Sequence, residues 1–140
     1  MQKDRFTNSA IRMKTISSAI NHERIKKLAP LDPDLVRKWI KCACELHSAT
    51  GQLSYHKVIQ RRGAKEFRDV EFHQTEVESN QNASIKEIVE LTKLLNKVAV
   101  TNKQIPILAN IEQLSEEKIT DVISNYVEEN VKRDKMRRFA

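Results

Sequence analysis

The chain has 140 residues, with 25 Lys and Arg against 19 Asp and Glu, and only two glycines and three prolines. So few turn-forming residues disfavour a β-sandwich or barrel and favour long helices, in one compact domain or a small domain with a helical arm. The apolar runs are too short to span a membrane and residues 1–8 lack the apolar stretch of a signal peptide. With two cysteines, we expect a cytoplasmic protein.

Charge is sorted along the chain. Residues 1–68 hold 15 Lys and Arg against 6 Asp and Glu, residues 69–131 hold 5 against 12, and residues 132–140 hold 5 against 1. Clustered basic charge suits a polyphosphate, because each neutralised phosphate releases condensed counterions. We therefore expect the basic N-terminal half to bind nucleic acid and the acidic region 69–131 to meet a protein partner or solvent. The basic tail fits either phosphate contact or stabilisation of a helix C-terminus.

The first clear helix is predicted to start at Asp32, a favourable N-cap, with Pro33 at the first helical position. It is expected to end before Gly51, and a shorter helix is predicted from Ser54 to Gly63. Two helices joined by a short turn have the outline of a helix–turn–helix. The apolar residues of the first helix fill one arc of a helical wheel; they are Leu35, Val36, Trp39, Ile40, Cys42, Ala43 and Leu46.

Two stretches are less regular. Residues 1–31 fit either helical or strand spacing, and within them residues 23–31 could be extended. Residues 73–83 are polar and are predicted to be a linker.

Two amphipathic helices are predicted after that linker. The first opens with a capping box at Ser84, and Pro106 prevents its continuation. The second begins at Ser115. Leu94 lies opposite the main apolar stripe of its helix and could mark a second contact. The residues predicted to serve oligomerisation are Leu91, Leu94, Leu95, Ile119, Val122 and Tyr126.

The sequence does not favour a metal site or catalysis. Cys42, Cys44, His47 and His56 are close in sequence, but on a helix the two cysteines point about 160° apart and cannot converge on one zinc ion. Cys42 is predicted to lie in the core and Cys44 at the helix flank. Both glycines stand alone rather than in a phosphate loop, and no pair of carboxylates beside a histidine suggests acid–base work. We expect no catalytic activity, cofactor or metal.

Seven basic residues are predicted to contact nucleic acid. Three precede the first helix and four lie on or just after the second. The alternative interpretation is that these residues belong to an ordinary solvated surface. The seven are Arg24, Lys26, Lys27, Lys57, Arg61, Arg62 and Lys65.

The segment 52–63, which contains the predicted second helix, has Leu53-Ser54-Tyr55 near its start and Arg61-Arg62 near its end. In these features and in the order of its parts, the chain resembles the accessory proteins of plasmid mobilisation relaxosomes, which are similar to ribbon–helix–helix repressors at their N-terminal side. The resemblance implies that residues 24–28 form a strand that pairs with a second subunit and enters the major groove. It also implies a dimer that binds duplex DNA near a transfer origin and assists a relaxase.

A second part of the resemblance follows the third predicted helix. Asn102, Gln104 and Ile105 match a motif of that family, whereas Lys103 and Pro106 depart from it.

The sequence thus predicts a mainly α protein with a small helix–turn–helix or ribbon–helix–helix-like unit followed by two amphipathic helices. We expect a nucleic-acid-binding region over 1–72, a linker over 73–83 and an oligomerisation or partner region over 84–140. The predicted function is that of a homodimeric, non-enzymatic DNA-binding accessory or regulatory protein, such as a relaxosome component or transcriptional regulator. The alternatives are an RNA-binding subunit of a ribonucleoprotein and a helical adaptor that packs its basic half against its acidic middle.

Overall fold

The computed structural model describes residues 19–62 and 74–131, which form four α-helices joined by short irregular segments. A 3₁₀ turn at Ile111–Gln113 precedes the last α-helix, and a π-helical turn at Val127–Val131 continues it. The α-helices are α1 (His22–Leu28), α2 (Pro33–Arg62), α3 (Gln74–Thr101) and α4 (Glu116–Tyr126).

The two long helices α2 and α3 run antiparallel and form the framework of the fold. Trp39 Nε1 on α2 donates a hydrogen bond to Thr92 Oγ1 on α3 over 2.9 Å. Further along α2, the Thr50 hydroxyl accepts from Gln81 Nε2 over 3.1 Å. Residue numbers therefore rise along one helix as they fall along the other.

Helix α4 packs mainly on α2, and α1 contacts both long helices. The Trp39 and Tyr126 rings meet edge to face with centroids 5.0 Å apart, a favourable aromatic geometry. The Tyr126 hydroxyl lies 2.8 Å from His22 Nδ1, which connects α4 to α1. The core is apolar and draws on all four helices and the loop before α4. Its largest fully buried side chains include Trp39, Ile25, Leu28, Leu46, Ile88, Leu95, Ile107, Leu108, Ile111 and Ile123.

The mainly helical class predicted from the sequence is confirmed, and so are two helix starts. Asp32 Oδ1 accepts from the backbone N–H of Leu35 over 3.2 Å, and Ser115 Oγ accepts from that of Lys118 over 3.1 Å. Both contacts satisfy N–H groups that the helix itself leaves without partners. Pro106 lies, as expected, in the irregular segment after α3.

The segment around Gly51 differs from the prediction. One helix runs without a break from Pro33 to Arg62, so the turn of a helix–turn–helix is not formed there. A lone glycine costs a helix only about 1 kcal/mol. Packing on α3 offsets that cost: the neighbouring Thr50 accepts a hydrogen bond from Gln81 on α3 over 3.1 Å, while its hydroxyl donates to the Leu46 carbonyl over 2.8 Å.

Three further segments differ from their predicted structure. Residues 24–28, implied to be a strand, belong to α1, and residues 19–62 and 74–131 contain no strand. Residues 74–83, predicted as a linker, form the first turns of α3. Ser84 is consequently a buried residue inside α3 rather than its cap.

Candidate nucleic-acid interface

The first predicted basic patch lies on α1 and is partly engaged in the fold. Arg24 is half-buried, and its Nη1 donates to the Pro106 carbonyl over 3.2 Å, so it fastens α1 to the loop after α3. The Lys26 ammonium is 3.6 Å from a carboxylate oxygen of Glu23, while Lys27 is exposed. Of these three cations only Lys26 lies beside a carboxylate, while Arg24 keeps its charge but is held in a contact within the fold.

The second predicted patch occupies the distal half of α2, which we define as residues 46–62. This stretch contains no Asp or Glu. Lys57 is exposed and forms no ion pair with another described residue. Arg61 and Arg62 form the end of α2, where the structure describes the backbone but not the side chains, and Lys65 falls outside the described residues. The basic residues Lys57, Arg61 and Arg62 therefore share the distal half of α2 with no acidic residue.

The distal half projects with the start of α3 as a two-helix arm. Leu53 and His56 on α2 and Val77 on α3 are half-buried, as expected of the faces that meet, while most other described positions of the arm are exposed. Exposed Glu76 and Glu78 lie on the α3 side. The arm thus has a basic helix and an acidic helix, and a polyanion would be attracted only to the former.

Elsewhere two of the described cations, Arg37 and Lys93, lie beside carboxylates. Arg37 is 3.6 Å from Asp34. Lys93 Nζ lies 3.3 Å from Glu90 and 3.4 Å from Glu112, and these hydrogen bonds raise the pKa of Lys93. Such exposed pairs contribute little stability, but they reduce the positive potential of the surfaces that carry them.

The residues predicted to mediate oligomerisation divide into two groups. Leu94 is 49% exposed and remains available for a contact. The others are at most 8% exposed, because the amphipathic stripes point into the subunit's own core; these are Leu91, Leu95, Ile119, Val122 and Tyr126.

The two cysteines occupy the predicted core and flank positions. The Cys42 thiol is buried and donates to the Ser84 carbonyl over 3.4 Å. Burial, with smaller contributions from Glu87 and Glu45, raises its pKa to about 12. Cys44 is half-buried and lines a groove of about 550 Å³ between α2 and α3, together with Ser48 and Asn80. Among the described residues, no group of three His, Cys, Asp or Glu is arranged to hold a metal ion.

The α3 half of the arm and the contact between His47 and the π-helical turn after α4 were not predicted from the sequence. The first had a detectable signal, because Val77, Gln81 and Ser84 follow at helical spacing and continue to Ile88. The second had none, since His47 Nε2 and Glu128 Oε1 meet across 81 residues at 3.8 Å.

None of the helices in the described residues is long and apolar enough to cross a membrane. Comparison of the chain with protein-family models, curated proteins and solved structures finds no match.

Proposed function

We propose that the protein binds nucleic acid along the distal half of α2 and acts as a non-enzymatic accessory or regulatory protein. The observation that carries this proposal is the acid-free stretch of α2 over residues 46–62, on which Lys57 is exposed and to which Arg61 and Arg62 belong. In a surface built for solubility alone, acidic and basic residues would be interspersed, as they are along α1 and at the start of α2.

Duplex DNA is the partner that this surface suits best. Single strands are usually held by aromatic side chains on which bases stack. Among the described aromatics, Trp39 and Tyr126 are buried in the core and only Tyr55 is exposed. Binding through phosphates needs no such platform.

The side of α2 is the expected contact, because Lys57 is exposed on it and Arg61 follows one helical turn later. A regulator or relaxosome accessory role, as the family resemblance implies, is part of this proposal. Recognition of particular DNA bases would then require parts of the protein other than the helix–turn–helix or ribbon that the amino-acid sequence predicts.

The salt dependence of duplex binding tests the proposal. We expect the affinity of the full chain for duplex DNA to fall steeply between about 50 and 300 mM salt, because phosphate contacts release counterions. Fluorescence anisotropy measures it, and competition with structured RNA separates the RNA-binding alternative. An affinity that does not change over this range would contradict binding through α2.

A helical adaptor is a second candidate, favoured by the acidic side of α4 and of the π-helical turn that continues it. Glu117, Asp121 and Glu128 follow at spacings of four and seven residues, lie on one stripe and are exposed. Such a stripe could receive the basic arm of another copy. Light scattering without nucleic acid would then detect oligomers at low salt that dissociate at high salt, whereas a monomer at every salt concentration would exclude this arrangement.

A further inference from the structure

The face of α2 and α3 that contains the groove beside Cys44 carries two straight stripes of exposed side chains. Residues seven apart on an α-helix point in nearly the same direction, with a drift of only about 20°. Both long helices show this spacing. The stripe on α2 and the stripe on α3 are Lys41, Ser48 and Tyr55, and Asn80, Glu87 and Leu94, all of them exposed.

The two stripes border the same groove. Lys41 and Ser48 line it from α2, and Asn80 and Glu87 line it from α3; its volume is about 550 Å³. Leu94 continues the α3 stripe past the groove and is 49% exposed. We call this surface, which comprises the two stripes and the groove between them, the groove face. It offers a recess and an exposed leucine to another pair of helices.

The groove face points away from the rest of the subunit. On α3, Glu87 points roughly 180° away from Asn96, whose side chain accepts a hydrogen bond over 3.0 Å from the backbone N–H of Ile107, in the loop before α4. On α2, Ser48 points roughly 180° away from Lys57. The groove face therefore lies on the side of α2 opposite to the exposed lysine of the candidate nucleic-acid interface.

The charges of the groove face are sorted between its two helices. Lys38 and Lys41 are exposed on the α2 side. Besides burial, Glu87 and Glu45 raise the pKa of the Cys42 thiol, so both carboxylates lie close to this part of the groove. None of these two cations and two carboxylates forms an ion pair with another described residue. The groove face thus carries charges of both signs that are available to a second molecule.

Two copies of this face are complementary under a two-fold rotation about an axis parallel to the helices. Helix α2 of each copy then lies over α3 of the other, and both halves of the interface make the same contacts. Because Trp39 is hydrogen-bonded to Thr92 across the helix pair, Lys41 is level with about residue 90 of α3. Lys41 of one copy therefore lies within about one helical turn of Glu87 of the other.

The size of the groove face fits a weak association. Residues 38–55 of α2 rise about 26 Å, and two adjacent helices are about 20 Å wide. The face therefore covers about 500 Å² per copy, or about 1,000 Å² in a pair, which is close to the lower limit of a specific interface. We expect a dimer that forms at about 10–100 µM protein and dissociates on dilution.

We propose that the groove face binds a second copy of this chain, with α2 of each copy over α3 of the other. A second copy fits because one face supplies both the cations and the carboxylates of the contact, so that the same surface is its own complement. This inference goes beyond the proposed function, because it uses the side of α2 opposite to Lys57 and needs no nucleic acid.

Charge reversal on the two helices tests this arrangement. Lys41→Glu brings carboxylates together in both halves of its own dimer, and Glu87→Lys brings cations together. We expect each variant alone to dimerise at least tenfold more weakly than wild type. An equimolar mixture of the two should dimerise like wild type, because in the mixed pair the two changed residues face each other and the other contact is unchanged. Sedimentation equilibrium without nucleic acid, at about 5–200 µM protein, measures this.

The matched control is Lys118→Glu, which makes the same change of charge on α4 and should dimerise within about twofold of wild type. Recovery of the dimer in the mixture also shows that both single variants are folded. A wild-type chain that stays monomeric up to about 200 µM, a mixture that stays monomeric, or oligomers that grow beyond two copies would each overturn the proposal. The proposed function fails separately, if the wild-type chain does not bind duplex DNA.

Discussion

At the scale of single residues, the thiol of Cys42 shows how the core controls chemistry. Its hydrogen bond to the Ser84 carbonyl requires the protonated form. Burial and the nearby carboxylates of Glu87 and Glu45 oppose the thiolate, which raises the pKa to about 12. The thiolate is the reactive form, so the fold protects this cysteine.

The two cysteines should consequently react at different rates. At about pH 8, iodoacetamide should modify Cys44 in the native protein and reach Cys42 only after unfolding. Mass spectrometry of the intact chain measures this, with Cys44→Ala as the control, in which the native protein should stay unmodified. Equal rates for both thiols in the folded protein would contradict the packing of α2 on α3.

The same thiol contributes to the pH dependence of stability. Its pKa in the folded protein is above the value of 9.0 for a solvent-exposed thiol. Its full contribution to the free energy of unfolding is therefore present below about pH 9. It is lost between about pH 9 and 12, where the unfolded chain releases the proton first.

At the scale of elements, the continuity of α2 through Gly51 is the main departure from the predicted helix–turn–helix. A Cβ added at Gly51 would meet nothing within 4 Å. Gly51→Ala should therefore raise the free energy of unfolding by about 0.5–1 kcal/mol, because alanine loses less backbone entropy in a helix. Urea unfolding measures this. A loss of stability would indicate that residue 51 lies in a turn.

The end of α3 offers a second test of local geometry. Lys103 has φ of 58°, and the backbone N–H of Gln104 donates to the Ala99 carbonyl over 2.7 Å. This is the Schellman arrangement, in which glycine is the preferred residue.

Lys103→Gly should therefore stabilise the protein by about 0.5–1 kcal/mol, because a side chain at positive φ is strained. Lys97→Gly, inside the same helix, is the control and should destabilise by about 1 kcal/mol. Thermal unfolding compares them. Equal signs for the two changes would show that α3 does not end as described.

Local chemistry made some of these elements predictable. Asp32 and Ser115 act at short range, through hydrogen bonds to N–H groups three residues away, and a sequence pattern is enough to reveal them. The course of the chain near Gly51 and before Ser84 depends instead on long-range packing. The hydrogen bond between Thr50 and Gln81 forms only when α2 and α3 pack together, and the two residues are 31 positions apart in the sequence.

At the scale of the whole molecule, the basic residues of the candidate site could be identified from the sequence, but their arrangement in space could not. The sorted charges pointed to residues such as Lys57 and Arg61, and those residues lie on a projecting helix. The placement of Arg24 against Pro106 could not be predicted, because it depends on a contact across 82 residues. For the same reason, helical stripes predicted as oligomer contacts could not be distinguished from the subunit's own core.

The molecule is also electrically polarised. The arm helix α2 is basic towards its end, whereas the exposed stripe on α4 is acidic. A duplex bound along α2 would be held away from α4 by repulsion, so the arrangement favours one orientation of the nucleic acid.

The most direct test of the central claim is the affinity for duplex DNA after removal of charge from the distal half of α2. In one triple variant Lys57, Arg61 and Arg62 become Ala; in its control Lys86, Lys97 and Lys118 become Ala, with the same loss of charge. We expect at least tenfold weaker binding in the first and a change of no more than about twofold in the second, because only the first loses phosphate contacts. Wild-type affinity in the first variant, or equal losses in both, would contradict binding along α2.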